Sequence, residues 1–235
     1  MRLDKFLREK FGLRSRTYAE NLIIKGQVRV NGKPATKPSA ETDERDKVEI
    51  ISDEDYASQG AYKLDKALRD FALDVNGLSC ADIGCSNGGF TDCLLRRGAA
   101  YVLAVDVAEC ALPERLLRDR RVEFVRANAR EFGVETPVDF VCSDVSFISL
   151  KHILPTVYSI LKEGGFAVVL IKPQFELTRS ALSKKGIVKS EKDRLDAVRL
   201  VKDYAAAAGF TVKGVSPAPE YYADKNKEYL LYLKK

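Results

Sequence analysis

The stretch that decides the fold is Cys80-Ala81-Asp82-Ile83-Gly84-Cys85-Ser86-Asn87-Gly88-Gly89-Phe90-Thr91-Asp92. A short apolar run ends in Asp82, a glycine-rich turn follows, and residues 89–97 are predicted to form a helix. The glycines at positions 84, 88 and 89 allow the backbone to approach a ligand where a β-carbon would collide. The N–H groups at the beginning of the helix lack helical partners and would point toward that ligand.

Acidic residues around this turn indicate which ligand it holds. Asp106 closes the next strand-like run, about 20 residues beyond the turn, where an acid can bind ribose hydroxyls. The glycine spacing is neither the dinucleotide pattern G-x-G-x-x-G nor a P-loop, because no Gly-Lys-Ser/Thr follows. Asp82 would repel a pyrophosphate but suits the amino group of a methionine-like tail. The pattern therefore favours S-adenosyl-L-methionine, with another nucleotide or a tight turn without a ligand as alternatives.

Predicted strands and helices alternate through residues 56–235. The strands are predicted at about 79–83, 101–106, 122–126, 139–144, 165–172, 211–217 and 228–234, and the helices at about 61–71, 89–97, 111–118, 152–161 and 192–208. Such alternation is typical of a mainly parallel sheet with helices on both faces. Seven strands, of which the last two are joined without a helix between them, match a Rossmann-like layout of methyltransferases. We therefore predict an α/β fold with a Rossmann-like seven-stranded methyltransferase sheet, whose ligand lies over the carboxyl ends of the strands.

The net charge of +5 is distributed unevenly along the chain. Residues 1–37 hold ten Lys and Arg against three Asp and Glu, whereas the rest holds 29 against 31. A basic segment before a nearly neutral body suggests a module that binds a polyanion.

Composition also narrows the class of protein. No window approaches the ~20 apolar residues of a membrane helix, and the N-terminus has no apolar signal region. The five cysteines form no C-x-x-C pair and the single histidine leaves no zinc motif, so no metal site is expected. We expect reduced thiols and a cytoplasmic protein.

Residues 1–55 are predicted to form a small α+β domain, separate from a larger domain over residues 56–235. Helices are predicted over about 3–11 and 15–25, strands near 28–30 and 48–51, and an acidic linker over 52–55. Ser15 suits the N-cap of the second helix, and Asn31-Gly32 is a strong hairpin signal. Five basic residues are expected to cluster around one helix end and the turn, where they can neutralise phosphates: Arg14, Arg16, Lys25, Arg29 and Lys33.

This small domain resembles the alpha-L RNA-binding module of a small-subunit ribosomal protein, pseudouridine synthases and tyrosyl-tRNA synthetases. The segments that carry the resemblance are Arg2–Leu7, Ser15–Arg16 and Ile24–Gly32. The resemblance implies that the domain supplies affinity for RNA and placement on it, and no chemistry.

Four charged residues stand at the ends of predicted elements in the larger domain. Asp144 and Lys172 each follow an apolar strand, and Pro173 keeps the backbone before it extended. Glu228 opens the last strand, and Lys63 lies at the start of the helix before the sheet. A lone lysine after an apolar strand is usually a solvated end. Two lysines and two acids at one sheet edge, beside a cofactor loop, indicate a catalytic group.

The whole chain resembles the TlyA family, including the order of the two domains. The matching segments are Ala61–Leu64, Asp82–Cys93, Ala104–Val107, Asn128–Arg130, Asp144–Leu150, Ile171–Glu176 and Asn226–Glu228. TlyA proteins are S-adenosylmethionine-dependent rRNA 2′-O-methyltransferases that act on cytidine ribose, and they are related to the FtsJ/RrmJ enzymes, which use a Lys-Asp-Lys-Glu tetrad. By matching position, the resemblance implies the catalytic residues Lys63, Asp144, Lys172 and Glu228.

We hypothesise that Lys172 acts as base or oxyanion stabiliser, that Asp144 orients Lys172, and that Glu228 holds Lys63 or the ribose. The expected cofactor contacts are Asp82, Gly84, Ser86, Gly88 and Gly89 for the methionine end, Asp106 for the cofactor ribose, and Asn128 for the adenine.

Three segments depart from the family pattern. Residues 58–61 are Ser-Gln-Gly-Ala, where the family usually has Ser-Arg-Gly-Gly, so an arginine that would contact the substrate is missing. Cys85 and Asn87 replace the commoner Ala and Thr in the loop, which should leave the turn intact. Residues 222–225 replace a Gly-Pro-Lys-Gly-like turn, so the approach to Glu228 is expected to differ.

Other functions were considered. Amino-group methylation of a base usually uses an Asn/Asp-Pro-Pro-aromatic motif, whereas the run that begins at Asp144 has no proline. Carbon-5 methylation of a pyrimidine needs a cysteine nucleophile, but Cys142 lies in an apolar run and is expected in the core. Two alternatives stay open: a non-catalytic RNA-binding or ribosome-assembly factor, and a haemolysin-like membrane-active protein, a label the family has also carried.

The membrane alternative lacks support in the sequence, because a pore needs a spanning helix or amphipathic hairpins of ~9–11 residues per strand. Short family forms without terminal helical extensions tend to have a narrower target range, which favours the large-subunit RNA here. The target nucleotide and the oligomeric state are not predicted.

Overall fold

The computed structural model describes residues 1–13, 15–24, 27–50, 56–220 and 225–235. The chain forms two compact units, Met1–Asp55 and Tyr56–Lys235. The predicted linker over residues 52–55 lies outside the described residues, as do Arg14, Lys25 and most of the departure at 222–225.

The first unit is a pair of helices with a small antiparallel sheet. Its elements are α1 (Leu3–Lys10), α2 (Arg16–Ile24), β1 (Val28–Val30), β2 (Lys33–Pro34) and β3 (Val48–Ile50), with β1 at the centre of the sheet. The Ser15 hydroxyl accepts the N–H of Tyr18 at 3.1 Å, which confirms Ser15 as a helix-capping residue. Asn31 and Gly32 both have positive φ, as a two-residue hairpin turn requires.

The second unit is a seven-stranded sheet with helices on both faces. Its strands are β4 (Ser79–Ile83), β5 (Tyr101–Asp106), β6 (Val122–Arg126), β7 (Val138–Ser143), β8 (Leu161–Ile171), β9 (Thr211–Pro217) and β10 (Tyr229–Lys234). Its α-helices are α3 (Gly60–Asp70), α4 (Gly89–Arg96), α5 (Glu114–Leu117), α6 (Leu154–Ile160), α7 (Pro173–Glu176) and α8 (Glu191–Ala207), and the 3₁₀ turns are Leu150–His152 and Arg179–Ala181.

The strand order is β6-β5-β4-β7-β8-β10-β9, and only β10 runs against its neighbours. The carboxyl ends of the parallel strands therefore meet at one edge of the sheet. Since β10 is reversed, its beginning lies at that same edge, with Tyr229 paired to Ile171. The predicted Rossmann-like methyltransferase sheet is confirmed, and its topology carries Lys172 and Glu228 to the same place.

Two hydrophobic layers cover the sheet. Buried side chains of α3 and α4, such as Leu64 and Leu94, pack on one face, and those of α6 and α8, such as Val157 and Val201, pack on the other. The predicted helix at 111–118 is shorter, because Pro113 keeps an extended backbone just before α5 begins. Within the described ranges, the helices are either too short or too polar to cross a bilayer.

Candidate active site

The turn between β4 and α4 is built from left-handed backbone positions. Gly84 has φ +87°, Ser86 +47° and Gly88 +80°. A β-carbon on Gly84 would lie 3.1 Å from the carbonyl oxygen of Asp144, and one on Gly88 would lie 2.6 Å from a methyl of Leu116. Glycine is therefore needed at both positions, for backbone conformation and for space.

Asp106 fixes the other side of this turn. Its Oδ2 accepts the N–H of Ser86 at 2.9 Å, and its Oδ1 accepts the N–H of Ala108, also at 2.9 Å. The carboxylate at the end of β5 thus has a structural role in shaping the loop. This role adds to the contact with the cofactor ribose that the sequence predicts for Asp106.

Asp82 lies fully buried at the end of β4. Its Oδ2 accepts the N–H and the hydroxyl of Thr91, at 2.9 and 2.7 Å, whereas its Oδ1 has no partner among the described residues. Burial raises the pKa of Asp82 to about 7, and the nearby carboxylates of Asp144 and Asp106 add to the increase. A buried carboxylate with an unused oxygen suits a cationic partner.

The four predicted catalytic residues come together at the edge of the sheet. Lys172 Nζ lies 2.6 Å from Asp144 Oδ1, and Lys63 Nζ lies 2.6 Å from Glu228 Oε2. Lys63 Nζ also lies 3.8 Å from Asp144 Oδ2, so Asp144 links the two pairs. All four side chains are mostly buried, which strengthens these contacts relative to surface ion pairs.

Two cavities adjoin this group of charges. A cavity of about 180 Å³ is lined by Asp82, Gly84, Asp144 and Lys172. A larger cleft of about 520 Å³ runs along the ends of β4, β5 and β7. Its size falls within the range of small-molecule sites in proteins. Gly84, Ser86 and Asp144 line both cavities, so the loop and the charged group face a common space.

The larger cleft also receives two more of the predicted cofactor residues, whereas Gly88 packs against Leu112 and Leu116. Asp106 and Asn128 both line the cleft. Asn128 Oδ1 accepts the N–H of Arg130 at 3.1 Å, which orients the amide. Gly89, by contrast, begins α4 against the start of α3, where a β-carbon would lie 2.2 Å from the hydroxyl of Ser58. Its need for glycine is therefore explained by packing between the two helices.

The structure adds residues that the sequence analysis did not single out. Ser146 accepts a hydrogen bond from Lys172 Nζ at 2.7 Å. Glu176 accepts the hydroxyl of Ser149 at 2.6 Å and the N–H of Leu150 at 2.9 Å. Ser146 and Glu176 both lie in runs that resemble the TlyA family, Asp144–Leu150 and Ile171–Glu176. Their polar side chains within those runs were the sequence signal that could have identified them.

Phe147 is the third addition. Its ring is 91% exposed at the rim of the larger cleft, and its φ of +64° is unusual for a bulky residue. The ring of Phe175 lies 5.2 Å away. Phe175 is half-buried and supports the exposed Phe147, whose ring is a surface on which a nucleobase can stack.

Cys85 lines the smaller cavity, and Cys142 lies in the core of the sheet. All five cysteines are free, and only Cys110 is exposed. Burial raises the pKa of the Cys142 thiol well above its usual range, and it raises that of Cys85 as well. The cysteine-nucleophile alternative is therefore excluded for Cys142.

In the first unit, three of the predicted phosphate-binding residues are described. Arg29 and Lys33 are exposed on the neighbouring strands β1 and β2. Arg16 lies 3.0 Å from the fully buried Asp4, which Arg2 also contacts at 2.7 Å. The guanidinium of Arg2, and after it that of Arg16, holds the pKa of Asp4 well below its usual range. Arg16 therefore has a structural role that the sequence did not indicate.

Comparisons with known proteins agree with this architecture. The FtsJ-like methyltransferase family matches residues 56–235, and the S4 domain family matches residues 1–48. A Mycobacterium tuberculosis protein named 16S/23S rRNA (cytidine-2'-O)-methyltransferase TlyA is 38% identical over 239 residues, which cover 99% of this chain and 89% of the relative. The chain belongs to the TlyA family of FtsJ-like methyltransferases.

TlyA-family relatives carry more than one kind of name. Hemolysin A of Brachyspira hyodysenteriae is 36% identical over 238 residues, which cover 99% of both chains. A crystal structure from Streptococcus thermophilus, of a protein provisionally named a hemolysin, has a TM-score of 0.74 and 36% identity, and the match covers 100% of this chain and 88% of that one.

Proposed function

We propose that this chain uses S-adenosyl-L-methionine to methylate the ribose 2′-oxygen of a cytidine in ribosomal RNA. The observation that carries the proposal is the meeting of Lys63, Asp144, Lys172 and Glu228 beside the glycine-rich turn. The name of the Mycobacterium tuberculosis relative supports the same reaction.

The residues around the turn fit this cofactor. Bound S-adenosylmethionine would supply an electrophilic methyl group on a positively charged sulfur. The unused Oδ1 of Asp82 suits its ammonium group, and Gly84 and Ser86 of the loop line the cavity beside it. Asp106 and Asn128, further along the cleft, suit the ribose and the adenine.

The charged residues then act on the sugar oxygen. Lys172 Nζ donates to the Ser146 hydroxyl at 2.7 Å and forms an ion pair with Asp144, so these two groups hold it beside the smaller cavity. There Nζ either takes up the hydroxyl proton as an amine while the oxygen accepts the methyl group, or stabilises as an ammonium an oxyanion whose proton has passed to solvent. Glu228 pairs with Lys63 and keeps that ammonium group close to Asp144.

The first unit supports a nucleic acid substrate. The S4 family match and the exposed Arg29 and Lys33 suit phosphate contacts that hold the RNA without reading its sequence. Ribosomal RNA as substrate makes the cytoplasm the expected compartment. Phe147 at the rim of the cleft suits a target base that has left its stack.

The proposal is tested by transfer of isotope from labelled S-adenosylmethionine to ribosomal subunits from cells that lack the protein. Nuclease digestion and nucleoside analysis of the labelled ribosomal RNA should give 2′-O-methylcytidine. Label on a base, or no label on either subunit, would overturn the proposal. In the second case a non-catalytic assembly factor would be the better description.

The haemolysin alternative rests on the names of relatives. No contact or cleft in the described part of the chain favours it, and the charged group has no role in it. Haemolysis by the wild-type protein that persists in Lys172→Ala would show that any such effect is independent of this site.

A further inference from the structure

A short hairpin follows β8 in the methyltransferase unit. Leu182 and Val188 form an antiparallel bridge, and Ser183 N–H donates to the Ile187 carbonyl at 2.8 Å. Gly186 N–H donates to the Ser183 carbonyl at 2.9 Å, which closes a tight turn with Lys184 and Lys185 at its two central positions. We call residues 182–189 the basic hairpin.

The hairpin is anchored by Asn226. The Asn226 side chain accepts the N–H of Val188 at 2.8 Å and donates to the carbonyl of Gly186 at 2.9 Å. Val188 is almost fully buried, so the base of the hairpin is packed into the unit. The two lysines at the tip are therefore displayed on a fixed backbone.

Positive charge is concentrated in this part of the unit. Residues 56–235 hold 27 Lys and Arg against 23 Asp and Glu, a net charge of +4. Residues 178–192 alone hold five Lys and Arg against one Glu, so this short segment also has a net charge of +4. The remainder of the unit is thus neutral, and its whole excess charge lies around the basic hairpin.

The charges of the hairpin have no carboxylate partner among the described residues. Lys184, Lys185 and Lys189 are exposed, and none of them makes an ion pair within the portion of the chain that the structure describes. Most other basic groups of this unit do have carboxylate partners, such as Lys162 with Asp139. A lysine ammonium without a partner is available as a point charge for a phosphate.

The topology sets the hairpin beside the catalytic group. The chain leaves the sheet at Lys172, forms α7 and the hairpin, and Asn226 then ties the hairpin to the segment that ends at Glu228. Lys172 and Glu228 flank adjacent strands at one sheet edge. A polyanion with one nucleotide at these residues would pass close to the hairpin.

From this placement we propose that the basic hairpin binds the sugar-phosphate backbone of the RNA next to the target nucleotide, through Lys184 and Lys185 at its tip and Lys189 at its base. The inference rests on the proposed function for the identity of the polyanion. It assigns the methyltransferase unit its own RNA contact, in addition to that expected from the first unit. Contacts of this kind add affinity and register without sequence preference.

The test uses the full chain and the double variant Lys184→Gln/Lys185→Gln. The matched control is Arg120→Gln/Lys213→Gln, which removes the same charge from exposed positions near the opposite edge of the sheet. Binding to purified large ribosomal subunits and to deproteinised large-subunit RNA is measured over a range of KCl concentrations. Thermal unfolding and binding of S-adenosylhomocysteine verify that both variants retain the fold.

We expect the hairpin variant to raise Kd for both probes on the order of tenfold near physiological salt. The slope of log Kd against log salt should fall by about 1.5, since each phosphate contact contributes roughly 0.7–0.9. The control should behave as the wild type does. Kd and slope equal to those of the control would overturn the proposal. A loss seen with subunits and not with free RNA would assign the lysines to a ribosomal protein and also overturn it.

This readout is separate from that of the proposed function, because binding is scored without methyl transfer. A wild type that binds RNA through the hairpin but transfers no methyl group would refute the function and keep the contact. Normal transfer with an unaltered Kd in the hairpin variant would refute the contact and keep the function.

Discussion

At the scale of single residues, Lys172 is held in place by two polar contacts and by the proline that follows it. It touches a carboxylate and a hydroxyl at hydrogen-bond distance, and the backbone before Pro173 is extended as the proline requires. The two contacts hold the amine at the end of β8, beside the smaller cavity.

Lys172→Ala should leave binding of S-adenosylhomocysteine nearly unchanged and lower transfer at least ~100-fold, because a proton-transfer or charge-stabilising group is lost. Single-turnover transfer to ribosomal RNA and calorimetric binding give the two quantities. Lys162→Ala is the control, since Lys162 lies at the beginning of the same strand and pairs with Asp139. Comparable transfer by the two variants would remove Lys172 from catalysis.

Asp82 makes the free energy of unfolding depend on pH. Its folded pKa of about 7 lies above the 3.8 of an exposed aspartate, mainly because of burial. Between these values the folded chain holds a proton that the unfolded chain releases. The contribution of Asp82 to stability therefore falls as pH rises from about 4 to about 7, the opposite of an aspartate in a salt bridge.

Cofactor binding should have the reverse dependence. A cationic ammonium near Asp82 favours the ionised carboxyl, so we expect Kd for S-adenosylhomocysteine to fall several-fold as pH rises from 6 to 8. Asp82→Asn should remove most of that dependence while leaving the hydrogen bonds to Thr91 possible. Calorimetry at several pH values measures both. An equal pH dependence in the variant would show that another group is responsible.

At the scale of secondary structure, the segment between β7 and the 3₁₀ turn at Leu150 carries three site residues: Asp144, Ser146 and Phe147. Glu176, at the end of α7, caps that turn through Ser149 and Leu150. The carboxylate thereby joins this segment to the element that follows Lys172. Burial raises the pKa of Glu176, and neither hydrogen bond requires the charged form.

Glu176→Ala should therefore lower kcat by on the order of tenfold with a modest fall in Tm, since two capping hydrogen bonds are each worth about 1 kcal/mol. Glu176→Gln should restore most of kcat, because an amide can accept from Leu150 N–H and donate to the Ser149 hydroxyl. Steady-state kinetics and thermal unfolding are the measurements. If the Gln variant is as slow as the Ala variant, charge matters more than position.

The sequence predicted the strands of the methyltransferase unit well, because β-branched runs bounded by Gly and charged residues mark a parallel sheet clearly. It also indicated Lys63, Asp144, Lys172 and Glu228, through their places at element ends. It did not predict α7 or β2, which are four and two residues long and leave no periodicity. The hydrogen bonds from Lys172 to Ser146 and from Ser86 to Asp106 depend on loop conformations that no local sequence pattern encodes.

At the scale of the whole molecule, chemistry is proposed for one unit, whereas RNA contacts are proposed for both. The four catalytic candidates all lie in the methyltransferase unit, and none of them lies in the S4-like unit. Within the first unit, some exposed basic residues have a carboxylate partner and others do not. Arg29 and Lys33 make no ion pair in the described ranges, whereas Arg45 and Lys47 are neutralised by Asp43 and Glu49.

Arg29→Gln/Lys33→Gln should raise KM for ribosomal RNA several-fold and leave kcat and cofactor affinity near their wild-type values, because the change removes phosphate contacts alone. The control is Arg45→Gln/Lys47→Gln, whose charges already have carboxylate partners. Initial rates over a range of RNA concentrations separate the two parameters. A lower kcat with unaltered KM would mean that the first unit acts on the reaction itself.

The exposed ring of Phe147 has a practical consequence. The chain contains no tryptophan, so its ultraviolet emission comes from tyrosine and phenylalanine alone. Phe147→Trp would introduce one indole, at a position that is 91% open to water and at the rim of the cleft. Excited at wavelengths that tyrosine does not absorb, its fluorescence would follow the covering and uncovering of that rim in real time, without an attached dye.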